Sequence, residues 1–151
     1  MRSAPVPIVF ALALSAQQPA RVRHVGLVAG LQLSYQGLKA EVTAEAAKMP
    51  EADYGSKPSA MTEVRTFGQV IAHLADAQFA ACANVKGGEN PAQSRHLERD
   101  LKTKADLAKA LADSFAYCDE VFSTTTDENA LQPIRVQLGP TLVEMARASV
   151  L

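Results

Sequence analysis

Two cysteines stand at matching distances from two helix starts, and that match limits the fold more than any other feature of the chain. Cys82 lies 16 residues past Thr66, and Cys118 lies 15 residues past Thr103. Thr66 followed by Gln69 has the form of a capping box, in which the hydroxyl takes the third helical amide and the glutamine returns to the cap amide. Thr103 with Asp106 has similar N-cap chemistry. If the two helices ran antiparallel, the cysteines would be far apart along the axis; if parallel, the sulfurs come nearly level. A parallel return over about 20 residues covers ~30 Å. The segment from Gly87 to Lys102 reaches further than that at ~3.3 Å per residue. Parallel helices with a crossover connection satisfy both cysteines and loop.

The apolar pattern supplies the elements. One helix is expected from about Val25 to Lys48, with Leu27, Val28, Leu31, Tyr35, Leu38, Val42 and Ala46 inward, stopped by Pro50. A second runs from about Phe67 to Val85. Its stripe is Phe67, Val70, Ile71, Leu74, Ala77, Ala81, Cys82 and Val85, and Gly87-Gly88 ends it. Residues 89–102 read as a polar stretch. The third helix follows Thr103, with Leu107, Leu111, Ser114, Phe115, Cys118, Val121 and Phe122 on one face. Residues 124–140 read as loop, with a short extended piece over 134–138. A further apolar helix is expected near Thr141, carried by Leu142, Val143, Met145, Ala146 and Val150. Three full amphipathic helices and the first turns of a fourth imply an all-α, four-helix bundle whose last helix is incomplete. Either the sequence is a fragment, or a second copy supplies the missing wall in a homodimer; the fragment is the favoured reading.

The first 16 residues have the form of a secretory signal. Arg2 precedes a short apolar run from Val6 to Leu14, and Leu14-Ser15-Ala16 offers a cleavage site before Gln17. A buried N-terminal segment is the alternative. The run is shorter than the ~20 apolar residues that span a bilayer. The expected compartment is therefore secreted or periplasmic, with no membrane attachment after cleavage. There a disulfide between Cys82 and Cys118 is reasonable; two buried free thiols are the plainer option. A net charge of −1 gives no basic field for nucleic acid.

Several segments together resemble one family. They are Lys48-Met49-Pro50, Tyr54, Lys57-Pro58, Val64-Arg65-Thr66-Phe67-Gly68-Gln69, His73-Leu74-Ala75-Asp76-Ala77, Cys82, Thr103-Lys104 and Ser114-Phe115-Ala116-Tyr117-Cys118-Asp119. As a set they are similar to the DinB-like superfamily of DNA-damage-inducible metalloenzyme bundles, over roughly Tyr35 to Leu151. The resemblance implies an up-down-down-up four-helix bundle and a domain over 24–151. It also implies a divalent metal (zinc, nickel or iron) held by one histidine on the second helix and an H-x-x-x-H pair on the fourth.

His73 matches the first of these ligand positions, at the edge of its helix's apolar stripe, where a bundle aims a ligand inward at an internal cleft; a hydrogen-bonded structural histidine is the plainer reading. The pair has no counterpart before Leu151, and His24 and His96 sit in charged, solvent-facing contexts. A catalytic metal wants about three protein ligands and an open position, so metal binding by this chain is expected to be weak or absent. Asp76, one turn past His73, either orients its ring or is a solvated charge. Tyr54 and Arg65 either line a cleft or pack a loop. Characterised members of the superfamily include metal-dependent enzymes that use low-molecular-weight thiols as transferases or isomerases, and many others have no assigned reaction. The complete form is thus expected to be a metal-dependent, thiol-linked transferase or hydrolase acting on a small molecule, and the chain as written inactive. The competing class is a noncatalytic helical module that binds another chain through its open face.

Overall fold

A computed structural model describes residues 24–151, so the leader expected over 1–16 lies outside the described residues. In chain order the elements are α1 (Leu27–Lys48), α2 (Phe67–Lys86), the single-turn α3 (Leu97–Asp100), α4 (Lys104–Thr124), β1 (Pro133–Leu138) and β2 (Thr141–Ala146). No helix among the described residues is long and apolar enough to cross a membrane.

The two predicted caps form. Gln69 N–H donates to Thr66 Oγ1 at 3.2 Å, and Thr66 N–H donates to Gln69 Oε1 at 2.9 Å. Asp106 N–H donates to Thr103 Oγ1 at 3.1 Å. Gly87 ends α2 in the left-handed region, with φ 68°, where a glycine meets no Cβ penalty.

Contacts along the long helices set their directions. Gly68, near the start of α2, packs against Leu107 near the start of α4. Further along, Cys82 is disulfide-bonded to Cys118 with the Cα atoms 5.5 Å apart. Helices α2 and α4 are therefore parallel. Helix α1 runs against them. The amide of Val28, at its start, donates to Asp127 Oδ1 at 3.3 Å, just past the end of α4. At its other end, Lys104 Nζ donates to the carbonyls of Ala47 (2.8 Å) and Met49 (2.7 Å). A carboxylate at the first helix's N-terminus and an ammonium at its C-terminus both oppose the macrodipole.

The core is shared by these three helices. All seven residues expected inward on α4 are buried. Helix α2 differs: its buried residues are Gly68, Ile71, Ala72, Ala75, Phe79, Cys82, Ala83 and Val85, while Val70 is 40% exposed and Ala77 is exposed. The centre of that face lies about one residue step, roughly 100°, round from the stripe of large side chains. The reason is close approach. Small residues let α2 and α4 pack tightly enough for the disulfide, and a Cβ on Gly68 would fall 3.1 Å from both Leu107 Cδ1 and the Tyr54 carbonyl oxygen. On α1, Val28, Tyr35 and Ala46 are buried, but Leu27 and Leu38, expected inward, are exposed.

The segment after α4 corrects the expected fourth helix. Residues 133–146 form an antiparallel hairpin that pairs Ile134 with Met145 and Val136 with Val143. The apolar run from Leu142 is too short for periodicity to separate helix from strand. Ile134, Val136, Thr141 and Val143 are β-branched and suit a pleated ladder. Gly139 (φ 57°) and Pro140 make the two-residue turn between the paired Leu138 and Thr141. Gly at the first central position and Pro at the second fit a II′ turn. Val136 is buried and β1 lies against α2. The described residues thus make a three-helix core with a hairpin, and an up-down-down-up four-helix topology is not seen among them.

Candidate functional site

His73 follows from the turn of α2. With Gly68, Ala72 and Ala75 facing α4, position 73 falls on the far side, and its side chain is 50% exposed. The ring sits on an open flank of the helix instead of facing an internal cleft. Its partner there is Glu98 of α3. The stretch read as polar loop over 89–102 is anchored by Leu97, which is fully buried, and by Ala92. Leu97 pins the single turn of α3 against α2 and places Glu98 beside His73.

Glu98 is shared by two side chains. Its Oε1 lies 3.1 Å from His73 Nδ1, and its Oε2 accepts from Arg65 Nε at 2.8 Å. The Arg65 hydrogen bond holds the Glu98 carboxyl below the usual glutamate range, against a partly offsetting desolvation, with the charges of Arg65 and His73 adding to the lowering. An ionised carboxylate only accepts, so His73 Nδ1 must donate. In the neutral ring this puts the lone pair on Nε2. Such a carboxylate–imidazole pair is how proteins orient a histidine ligand.

Asp76 does not take this role. Desolvation raises its carboxyl above the ordinary aspartate range, the nearby charge of Glu98 raises it further, and His73 and the Leu97 amide act the other way. The sequence offered no signal for Glu98, because its placement depends on where a short buried anchor docks.

Arg65 and Glu98 each border an opening. A polar cleft of about 250 Å³ beside Glu98 is lined by Tyr54, Thr66, Gln69 and Lys102. A larger cleft of about 720 Å³ has Arg65, Lys57 and Asp53 at its rim, with Met49, Val64 and Phe67 among its apolar lining. Tyr54 itself is buried, and its O–H donates to the Ala46 carbonyl at 2.6 Å.

The donor set is short for a catalytic ion. Glu98 has both oxygens engaged. Among the described residues, no group of three or more His, Cys, Asp or Glu side chains is placed to hold a metal. His24 and His96 are exposed. The residues present therefore fit one oriented metal ligand and do not by themselves fit a catalytic metal centre. Cys82 and Cys118 are 2% and 1% exposed, joined to each other, and not offered as ligands.

Compared with protein-family models, residues 35–151 match that of the DinB superfamily. A comparison with curated proteins finds no match.

Proposed function

Because the chain belongs to the DinB superfamily, we propose that it is an extracytoplasmic metal-binding protein in which Nε2 of His73 is one ligand. The observation that carries this reading is the Glu98 carboxylate on Nδ1, which leaves the half-exposed ring with its lone pair on the free nitrogen. Arg65 supports it by holding Glu98 ionised. The extracytoplasmic part is supported by the leader-like first 16 residues and by the Cys82–Cys118 disulfide, since such bonds persist in oxidising compartments.

Metal-dependent, thiol-linked transfer or hydrolysis on a small molecule is the reaction class proposed for the complete site. It requires further ligands beyond those gathered around His73. Within this chain, Glu98 orients the imidazole, Arg65 fixes Glu98, and the clefts that Arg65 and Glu98 each border are where a small substrate has room.

Titration of the full chain with zinc or nickel, followed by NMR of the histidine rings, tests the reading. Binding that perturbs His73 and disappears in His73→Ala supports it. Binding unchanged in His73→Ala overturns it. A protein that takes up no metal and forms a stable dimer overturns it in favour of an interaction module.

A further inference from the structure

The larger cleft, of about 720 Å³, is walled in part by a loop that closes on itself. The chain leaves the body and returns through one narrow neck. There Phe67 N–H donates to the Ser56 carbonyl at 3.0 Å, and Gly68 N–H to the Tyr54 carbonyl at 2.8 Å. Beyond the neck, residues 57–64 have the form of an Ω-loop, compact and with its ends together. Lys57 Nζ donates to the Thr62 carbonyl, Met61 N–H to Ser59 Oγ, and Val64 N–H to the Met61 carbonyl, each at 3.3 Å. These bonds tie the loop to itself.

Little ties it to anything else. Among the described residues, no hydrogen bond joins 57–64 to the rest of the protein, and no side chain from Gly55 to Glu63 is buried. A segment with so few buried contacts moves easily. Its two roots are firm, since Tyr54 is buried on one side and Arg65 is held by Glu98 at 2.8 Å on the other.

The cleft gives the loop somewhere to go. Lys57, Pro58, Glu63 and Val64 of the loop line it together with Met49, Phe67 and Val70 of the body. Val70 is 40% exposed, and Met61 near the loop's tip is 62% exposed. Closing the loop over the cleft takes both apolar side chains out of water.

We propose that residues 57–64 are a lid that turns about this neck and closes the cleft, bringing Met61 onto Val70. Val70 lies about one helical turn before His73 on α2, so the closed lid covers the approach to that ring and keeps water from it. That closure serves chemistry at His73 rests on the function proposed above. The motion itself does not, and neither outcome below bears on metal uptake by the ring.

Disulfide trapping in the full, metal-free chain tests the lid. Met61→Cys with Val70→Cys is compared with Met61→Cys with Ala77→Cys, whose second position lies on the same flank ~10.5 Å further along α2. The native Cys82 and Cys118 are 2% and 1% exposed, which shields them from exchange. A minor closed population is enough, because each closure that meets oxidant is captured. The first pair is expected to cross-link about ten-fold faster than the second, through the higher effective concentration of its thiols. Equal rates, or no cross-link between positions 61 and 70, overturn the proposal. Should the variants not fold, ¹³C relaxation dispersion of the Met61 methyl in the native chain decides. Exchange on the μs–ms scale that is lost in Val70→Asp supports the lid. A flat profile, or exchange that persists in Val70→Asp, rejects it.

Discussion

The carboxylate of Glu98 lies 3.1 Å from Nδ1 of His73, although 25 residues separate them in the chain. One acceptor at one ring nitrogen decides which nitrogen keeps its lone pair. Replacing Glu98 by Gln keeps the shape and removes the charge that fixes the ring. With His73 as a metal ligand, as proposed above, Glu98→Gln is expected to weaken zinc or nickel binding about ten-fold, at the lower end of the range for orienting partners. Metal titrations of both proteins check it.

The disulfide closes a loop with a sequence separation of 36. In the chain-entropy account, a cross-link of that span stabilises by about 3–4 kcal/mol, because it restricts the unfolded chain. Reduction is therefore expected to lower the midpoint of denaturant unfolding by that much in free energy. Parallel urea curves with and without reductant measure it. A difference under about 1 kcal/mol would mean that the reduced unfolded chain keeps residual structure.

Tyr35 predicts an alkaline limit. Burial first, then the hydrogen bond and charge of Asp119, raise its phenol well above the usual value near 10. Its O–H donates to Asp119 Oδ1 at 2.9 Å. The folded state holds this proton more tightly than the unfolded chain, so the stabilisation is complete below about pH 10 and is lost as pH rises beyond it. Tyr35→Phe is expected to cost about 1 kcal/mol at neutral pH and to flatten the fall in stability above pH 10. Stability measured from pH 7 to 11 on both proteins compares the two slopes.

Two glycines in helices are expected to respond in opposite directions. A Cβ at Gly37 of α1 would meet nothing within 4 Å, so Gly37→Ala should stabilise by about 0.5–1 kcal/mol through helix propensity alone. At Gly68 the same methyl would crowd Leu107 Cδ1 and the Tyr54 carbonyl, both at 3.1 Å. That carbonyl also accepts the Gly68 N–H at 2.8 Å, so moving it away disturbs a hydrogen bond. Overpacking of about 1–3 kcal/mol outweighs the propensity gain, and Gly68→Ala should destabilise. Melting temperatures of the two variants give the signs.

Much of this architecture is written locally in the sequence. Thr66 with Gln69, Thr103 with Asp106, and Gly87 mark helix ends because caps are short-range chemistry. The cysteine spacing carried the parallel relation of α2 and α4, because rise per residue is constant. The buried face of α2 was harder to read. Gly68, Ala72, Ala75 and Ala83 look neutral in a pattern of large apolar side chains, yet small residues are what a close helix contact needs. That misreading also turned His73 inward. The hairpin was obscured because an apolar run such as Leu142-Val143 fits either period, and only the partner strand at Ile134 and Val136 decides. Glu98 carried no local mark at all. Family membership was legible from the scattered motifs along Tyr35 to Leu151, since no single one had to bear it.

Asp127 at one end of α1 and Lys104 at the other act as two stops on a rail. Sliding α1 along α4 by a helical turn, ~5.4 Å, would break charged contacts at both extremities together. Axial register is thus locked from the tips, with the hydrogen bond from Tyr35 to Asp119 as a third stop between them.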